Sequence, residues 1–326
     1  MYIQQNQPLK VLQGEEFNDA IAQLEWELCD YRREGYFAGE GGKKIYYEYF
    51  TVEQPRGSIV VIHGLSEFTE KYYELTAYLL GQGYNVFLYD QRGHGFSHRD
   101  TCRPELIHIN SFDQLVTDLD IYIETKVRPA GDCPIYLYGH SLGASVGLLY
   151  LTQHGQKIKK AVLTSPLLVP KLKGLPCWPF RVGIAIHRFF AGKKAKFLLS
   201  GEYQVGMPYE HIPGDSAYRV RHCLAYRDKE PRYRSTPMTL GCAWEILNLR
   251  RRLLSREVTE GIRVPVYMLC AENDTMVKTR YQGKFAKRCA ACTHEILPGA
   301  NHALHTNSSE LLTEALEKIL HFLQED

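Results

Sequence analysis

The stretch "PIYLYGHSLGASVGLLYL", Pro134–Leu151, joins two periodicities at a serine. Its first residues alternate and are β-prone, whereas its last are small and apolar at helical spacing. At the join, Gly139-His140-Ser141-Leu142-Gly143 fits G-x-S-x-G in the strand-to-helix setting that this motif requires. A tight turn there exposes the Ser141 hydroxyl at the carboxyl end of a strand. The glycines relieve crowding, and the helix start offers free backbone N–H groups to an anion. The plain alternative is a glycine-bounded turn that only packs closely.

A serine hydroxyl is a weak nucleophile without a base, and the base needs an orienting acid. For this strand–turn–helix arrangement the chain order is Ser, then Asp or Glu, then His. "VPVYMLCAENDTMV" is a strand followed by an acidic turn, which makes Asp274 the candidate acid and Glu272 its competitor. "HEILPGANHALH" is a short strand and a Gly-containing loop, with His302 before the final helix and His305 as the second choice. The oxyanion formed on acyl attack needs two preorganised donors. The Leu142 N–H, just after the serine, is one. The Leu65 N–H, after the strand in "SIVVIHGLSE", is the other.

Around these motifs, short apolar runs alternate with helical patterns. Strands are expected over 44–50, 58–63, 85–90, 134–138, 160–164, 264–270 and 293–297. Helices are expected over 17–31, 70–80, 111–125, 142–154, 277–288 and 308–323. The last carries Leu311, Leu312, Ala315, Leu316, Ile319, Leu320 and Leu323 as one apolar stripe. Such alternation means a mostly parallel sheet covered by helices on both faces. It breaks between 168 and 256, a stretch read as a mostly helical cap insertion. The division expected is a 1–35 N-terminal extension, an α/β core over 36–167 and 257–326, and a 168–256 cap.

The 326 residues, 44% hydrophobic, suffice for one large domain with an insertion. No signal peptide or spanning helix is expected, since no stretch approaches the roughly 18 apolar residues a span needs. The nine cysteines read as free thiols in a reducing, cytoplasmic setting. Cys289-Ala-Ala-Cys292 lacks a second pair, and His302 with His305 lacks a third ligand, so no metal is expected. "YDQRGHGFS", Tyr89–Ser97, lacks both the P-loop lysine and dinucleotide spacing and reads as a supporting loop.

The near-balanced net charge of +2 hides an asymmetry. Residues 168–256 hold 17 Lys and Arg against 6 Asp and Glu, a balance of +11, and the remainder carries −9. Such a segment favours anionic partners. No helix-turn-helix, zinc-finger or RNA-binding signature accompanies it, so nucleic acid is not the expected partner. "PCWPFRVGIAIHRFFAGKKAKFLL", Pro176–Leu199, interleaves aromatics and aliphatics with bases. It reads either as a helix at an anionic bilayer surface or as a cap helix with a solvated basic rim.

Together these motifs resemble the α/β-hydrolase superfamily, in its monoglyceride-lipase and bacterial-lysophospholipase branch, also filed with serine aminopeptidases. The likeness rests on His63-Gly64-Leu65-Ser66-Glu67, Asp90-Gln91-Arg92-Gly93-His94-Gly95-Phe96-Ser97, the Gly139–Gly143 motif, Asn273-Asp274 and Gly299-Ala300-Asn301-His302. The segments "RREGYFAGEGGKKIYYEYF" and, more loosely, "YRSTPMTLGCAWEIL" resemble the entry and cap of the bacterial lysophospholipases. The resemblance implies Ser141 as nucleophile, His302 as base, Asp274 as its orienter, and Leu65 and Leu142 as oxyanion donors. It implies Glu67 and Lys71 at the polar head-group end; His140, beside the serine, is a further substrate-binding candidate. Lys71 stands where Arg is more usual. The implied activity is cofactor-free ester hydrolysis on a lysophospholipid or, as the alternative, a monoacylglycerol or other carboxylic ester. A peptidase or a non-catalytic binding protein ranks lower. From the cysteines and the basic segment, the expected place is the cytoplasm, with peripheral contact at the inner face of an anionic membrane through the basic cap.

Overall fold

The computed structural model describes residue 3 and residues 8–172, 177–210 and 214–325. Pro176, parts of the expected N-terminal extension and short pieces of the expected cap lie outside these. The sheet has eight strands: β1 Arg32–Ala38, β2 Lys44–Phe50, β3 Gly57–Ile62, β4 Tyr84–Tyr89, β5 Ile135–His140, β6 Lys160–Thr164, β7 Val266–Ala271 and β8 Cys292–Leu297. Their order is β1-β2-β4-β3-β5-β6-β7-β8. The β1/β2 and β2/β4 pairs are antiparallel and all others are parallel. Strands β3 to β7 are buried along their whole length and read as continuous apolar runs, as a doubly covered parallel sheet demands.

One face is covered by α1 Phe17–Tyr31, α2 Tyr73–Gly81 and, at the end of the chain, α10 Ser309–Gln324. The other is covered by α3 Phe112–Tyr122, α4 Leu142–His154, α8 Arg256–Gly261 and α9 Arg280–Ala286. Helix α4 is apolar all round, and every residue from Leu142 to Leu151 is buried. Helix α10 is amphipathic, and the Ser308 side chain caps it by accepting from the Leu311 N–H. Of its expected stripe, Leu311 is only half-buried.

Between β6 and β7 lie α5 Cys177–Ala191, α6 Ala217–Lys229 and α7 Leu240–Leu253, followed by α8. Helix α7 sends Cys242, Ile246, Leu249 and Leu253 into the same core as α3 and α4. The basic run at its exposed end had masked this apolar stripe. Helix α5 instead joins a small separate cluster, Ile184 with Leu240 and Ala243. Its Arg181 and Arg188 straddle the Trp244 ring, 5.3 and 5.2 Å from its centroid.

The N-terminal segment is part of the packed body. Strand β1, unanticipated because "RREGYFA" is a polar edge, runs across the boundary drawn at residue 35. Helix α1 buries Phe17, Ile21, Leu24 and Leu28. It also holds α6, since Glu25 accepts from His222 (2.6 Å) and from the Tyr226 hydroxyl (2.5 Å). Arg219 of α6 is nearly inaccessible. It donates to Glu74 at 2.6 and 2.8 Å, to the Leu12 carbonyl at 2.8 Å and to Ser309 Oγ at 3.1 Å. Removing one member of such a buried pair strands the other. Arg219→Ala is therefore expected to lower stability by about 3–5 kcal/mol, read from denaturant unfolding.

Candidate active site

Strand β5 ends at His140 and α4 starts at Leu142, so one residue makes the whole turn. That residue, Ser141, has φ 51° and ψ −112°, a left-handed conformation that is strained for a side chain with a Cβ. Neighbours hold it in place. Its N–H donates to the Thr164 carbonyl at 2.9 Å, and its carbonyl accepts from Leu167 at 3.0 Å and Ser145 at 3.2 Å. Both flanking glycines are required by close approach. A Cβ at Gly139 would meet Ala144 Cα at 2.8 Å, and one at Gly143 would overlap the carbonyl oxygens of Ile62 and His63.

The same contact brings the start of α4 against the end of β3. In the sheet Ile62 pairs with Gly139, so the Gly64–Leu65 loop leaves the sheet beside the serine turn. Leu142 and Gly143, as the first residues of α4, have no intrahelical acceptor for their N–H groups. The Leu65 N–H has no acceptor among the described residues. Two sets of free donors thus lie at adjacent strand ends.

The remaining partners come from the carboxyl ends of β7 and β8. His302 Nε2 lies 2.9 Å from Ser141 Oγ, and His302 Nδ1 lies 2.7 Å from Asp274 Oδ2. The Asp274 carboxylate is buried and its second oxygen accepts from the Met276 and Val277 N–H groups, each at 2.8 Å. Burial alone would raise this carboxyl. The hydrogen bond and charge of His302 with the two amides outweigh it and hold the group below the usual carboxylate range. Glu272, the competing acid, is exposed and accepts from the Gly299 N–H instead. This arrangement can deprotonate a hydroxyl for attack on a carbonyl and return the proton to a leaving group.

His305 does not reach the serine. It is buried, with Nε2 3.6 Å from Glu67 Oε1, and its ring lies 4.8 Å from that of Tyr72. Burial, aided by Lys71, pushes its imidazole down to about 3 and keeps it neutral. His140 is also buried. Its ring lies 5.1 Å from the His302 and His305 rings, and its Nδ1 lies 3.1 Å from Thr164 Oγ1. Burial holds it well below the ordinary imidazole range, so it packs as a neutral neighbour of His302.

Glu67 and Lys71 meet as a buried pair at 2.5 Å. The Glu67 carboxylate also accepts from the Gly64 N–H at 2.6 Å and the Tyr72 hydroxyl at 2.5 Å. Burial opposes its charge, but the Lys71 ammonium outweighs it and keeps the carboxyl well below the usual range. It therefore pins the loop that carries Leu65. A 170 Å³ cavity adjoins this loop, lined by Ser66, Lys71, Cys223, Arg227 and Thr306 among others.

Several supporting residues had no distinguishing signal in the sequence. Asn307 is buried and clamps the His302 loop. Its Oδ1 accepts from the Asn301 N–H at 2.8 Å, and its Nδ2 donates to the Asn301 and Ala303 carbonyls. In "HTNSSE" it reads only as a residue before a helix cap. The Tyr89–Ser97 loop is a scaffold, as expected. Asp90 accepts from Thr69 and Phe96 N–H groups, and Arg92 grips Asp118 at 2.8 and 2.9 Å.

The family profile described as "Serine aminopeptidase, S33" matches residues 53–309. The chain belongs to this hydrolase family. The chain is similar to lysophospholipase L2 of Escherichia coli K12, 24% identical over 301 residues that cover 89% of this chain and 87% of that one. The monoglyceride lipase of Saccharomyces cerevisiae is 25% identical over 281 residues, covering 81% of this chain and 84% of that one. A solved structure of a soluble variant of that yeast lipase, with a substrate analog, superposes with a TM-score of 0.71 at 18% identity. It covers 90% of this chain and 95% of that one. A carboxyl esterase from Bacillus coagulans, in complex with glycerol, also gives 0.71, at 17% identity and with 90% and 97% coverage. These two structures carry the α/β-hydrolase fold seen here.

Two substitutions probe the site. Asp274→Asn keeps the contacts but presents the wrong histidine tautomer, and is expected to lower kcat on a p-nitrophenyl ester by about 10⁴. Glu67→Ala frees the Gly64–Leu65 loop and is expected to lower kcat by about 10²-fold with a smaller change in KM, read from the same assay.

Proposed function

We propose that this protein is a serine carboxylic-ester hydrolase that removes the acyl chain of lysophospholipids. The observation that carries the reading is the hydrogen-bonded chain from Ser141 through His302 to Asp274. In the proposed reaction, His302 takes the Ser141 proton as Oγ attacks the ester carbonyl. The Leu65 and Leu142 N–H groups receive the oxyanion. The ester C–O bond breaks, and His302 returns the proton to the glycerophospho leaving group. Water, deprotonated by the same imidazole, then attacks the acyl-serine and releases the fatty acid. No step calls for a cofactor.

The anionic head group is favoured by the basic 168–256 segment and by the cavity that Lys71 and Arg227 line. Lys71 is matched by Glu67. Arg227 bonds to the Tyr233 and Ser235 carbonyls and the Thr236 hydroxyl, and makes no ion pair among the described residues. The likeness to a protein named lysophospholipase L2 along most of both chains points the same way. A monoacylglycerol lipase or general carboxylesterase is the second reading, favoured by the equal likeness to the yeast monoglyceride lipase. We place the enzyme's work in the cytoplasm at the inner face of an anionic membrane. Among the described residues no helix is long and apolar enough to cross a bilayer.

The assignment is tested with a fluorophosphonate probe and a hydrolysis panel of lysophosphatidylcholine, lysophosphatidylethanolamine, monoacylglycerol, short p-nitrophenyl esters and an aminoacyl amide. The wild type is expected to label and to favour the lysophospholipids, and Ser141→Ala to do neither. A Ser141→Ala protein that still labels and hydrolyses overturns the nucleophile. A wild type that favours monoacylglycerol selects the second reading.

A further inference from the structure

Outside the serine site the molecule has a second concentration of positive charge. A 450 Å³ cleft lies between the start of α5, the last turn of α7 and helix α9. Five cations line it: Arg181, Arg250, Arg251, Lys284 and Arg288. Among the described residues none of the five forms an ion pair with a carboxylate. Arg181 instead lies over Trp244, and Arg288 donates to the Leu254 carbonyl at 3.1 Å. Three cations crowd the single buried ring of Tyr281, with Arg250 and Arg280 at 5.0 Å and Lys284 at 5.2 Å from its centroid. The negative ends of α7 and α9 ease part of this repulsion. They do not account for Arg181 in the first half of α5 or Arg288 beyond α9. Like charges assembled without counter-charge are a standing demand for an anion.

The cleft wall shows what kind of anion. Trp178 lines it and is 75% exposed. From Trp178 the solvent side of α5 continues through Val182 (50% exposed), Ile186 (55%), Phe189 (83%) and Phe190 (81%). A nucleic acid or free phosphate would satisfy the bases and leave this apolar surface in water. A bilayer interface satisfies both, with phosphates for the bases and acyl boundary for the aromatics.

We infer that this cleft seats the phosphate head group of an anionic bilayer phospholipid while the adjoining face of α5 enters the interface. It is separate from the serine site. The inference rests on the membrane contact proposed above and names the surface that makes it.

The test is co-sedimentation of the full chain with phosphatidylcholine vesicles with and without phosphatidylglycerol. Binding is read without turnover, so it stands apart from the hydrolase assignment. The wild type is expected to bind only the vesicles containing phosphatidylglycerol, and less as salt rises. The Arg250→Ala, Arg251→Ala double variant, both residues being exposed, is expected to bind about 30-fold more weakly at an unchanged thermal midpoint. Phe189→Ser with Phe190→Ser is expected to weaken the same binding. If the wild type ignores both vesicles, the membrane contact itself fails. If it binds but the double variant binds equally, the contact stands and the cleft assignment fails. If a single-stranded RNA oligonucleotide binds as tightly as the anionic vesicles and is lost with the two arginines, the lipid assignment is overturned.

Discussion

One residue in an unfavourable backbone conformation organises this molecule. Ser141 can sit at φ 51° only because β6 and α4 grip its peptide groups from both sides. Such strain costs of order 1–3 kcal/mol, a substantial share of a domain's net stability. It persists because the packed parallel strands and the wholly buried α4 leave the turn no other geometry. The glycine at 143 follows from the same constraint, since the helix start abuts the carbonyls ending β3. The Ser141 turn and the Gly64–Leu65 loop are therefore two sides of one contact.

Around that contact the site is assembled from loops that are tied down in turn. Asp274 is fixed by two amides, His302 by the Asn307 clamp on its loop, and the Gly64–Leu65 loop by Glu67. Burial does much of the electrostatic work. It keeps His63, His140 and His305 from charging, which leaves His302 as the histidine joined to both the serine and a carboxylate. Gln91 N–H donates to His63 Nε2, so the His63 proton sits on Nδ1 and faces the Gly64 carbonyl.

The central sheet and the Ser141, Asp274 and His302 loops were legible because each loop follows a short strand-like run and is punctuated by Gly or Asp. The expected bounds of β2, β6 and α4 coincide with those observed. What stayed hidden depends on long-range packing. Strand β1 is an edge strand with polar residues and shows its pairing only against β2. The core face of α7 was obscured by three arginines at its end. Glu67 was anticipated as a head-group residue, yet its carboxylate is occupied by Gly64, Lys71 and Tyr72. Sequence spacing names a residue's neighbourhood but not which of its neighbours its hydrogen bonds will go to.

The first helix has a bearing on chemistry that lies far from it in sequence. Phe17, Ile21 and Glu25 of α1 line a narrow crevice together with Lys71, Cys223 and His305. The lever arm is short: α1 fastens α6, and α6 supplies Cys223 and Arg227 beside Lys71. The opening residues thus behave as a buttress for the wall that a substrate's polar end would touch. On the proposed reading, the geometry of that wall depends on a region that contains none of the hydrolase motifs.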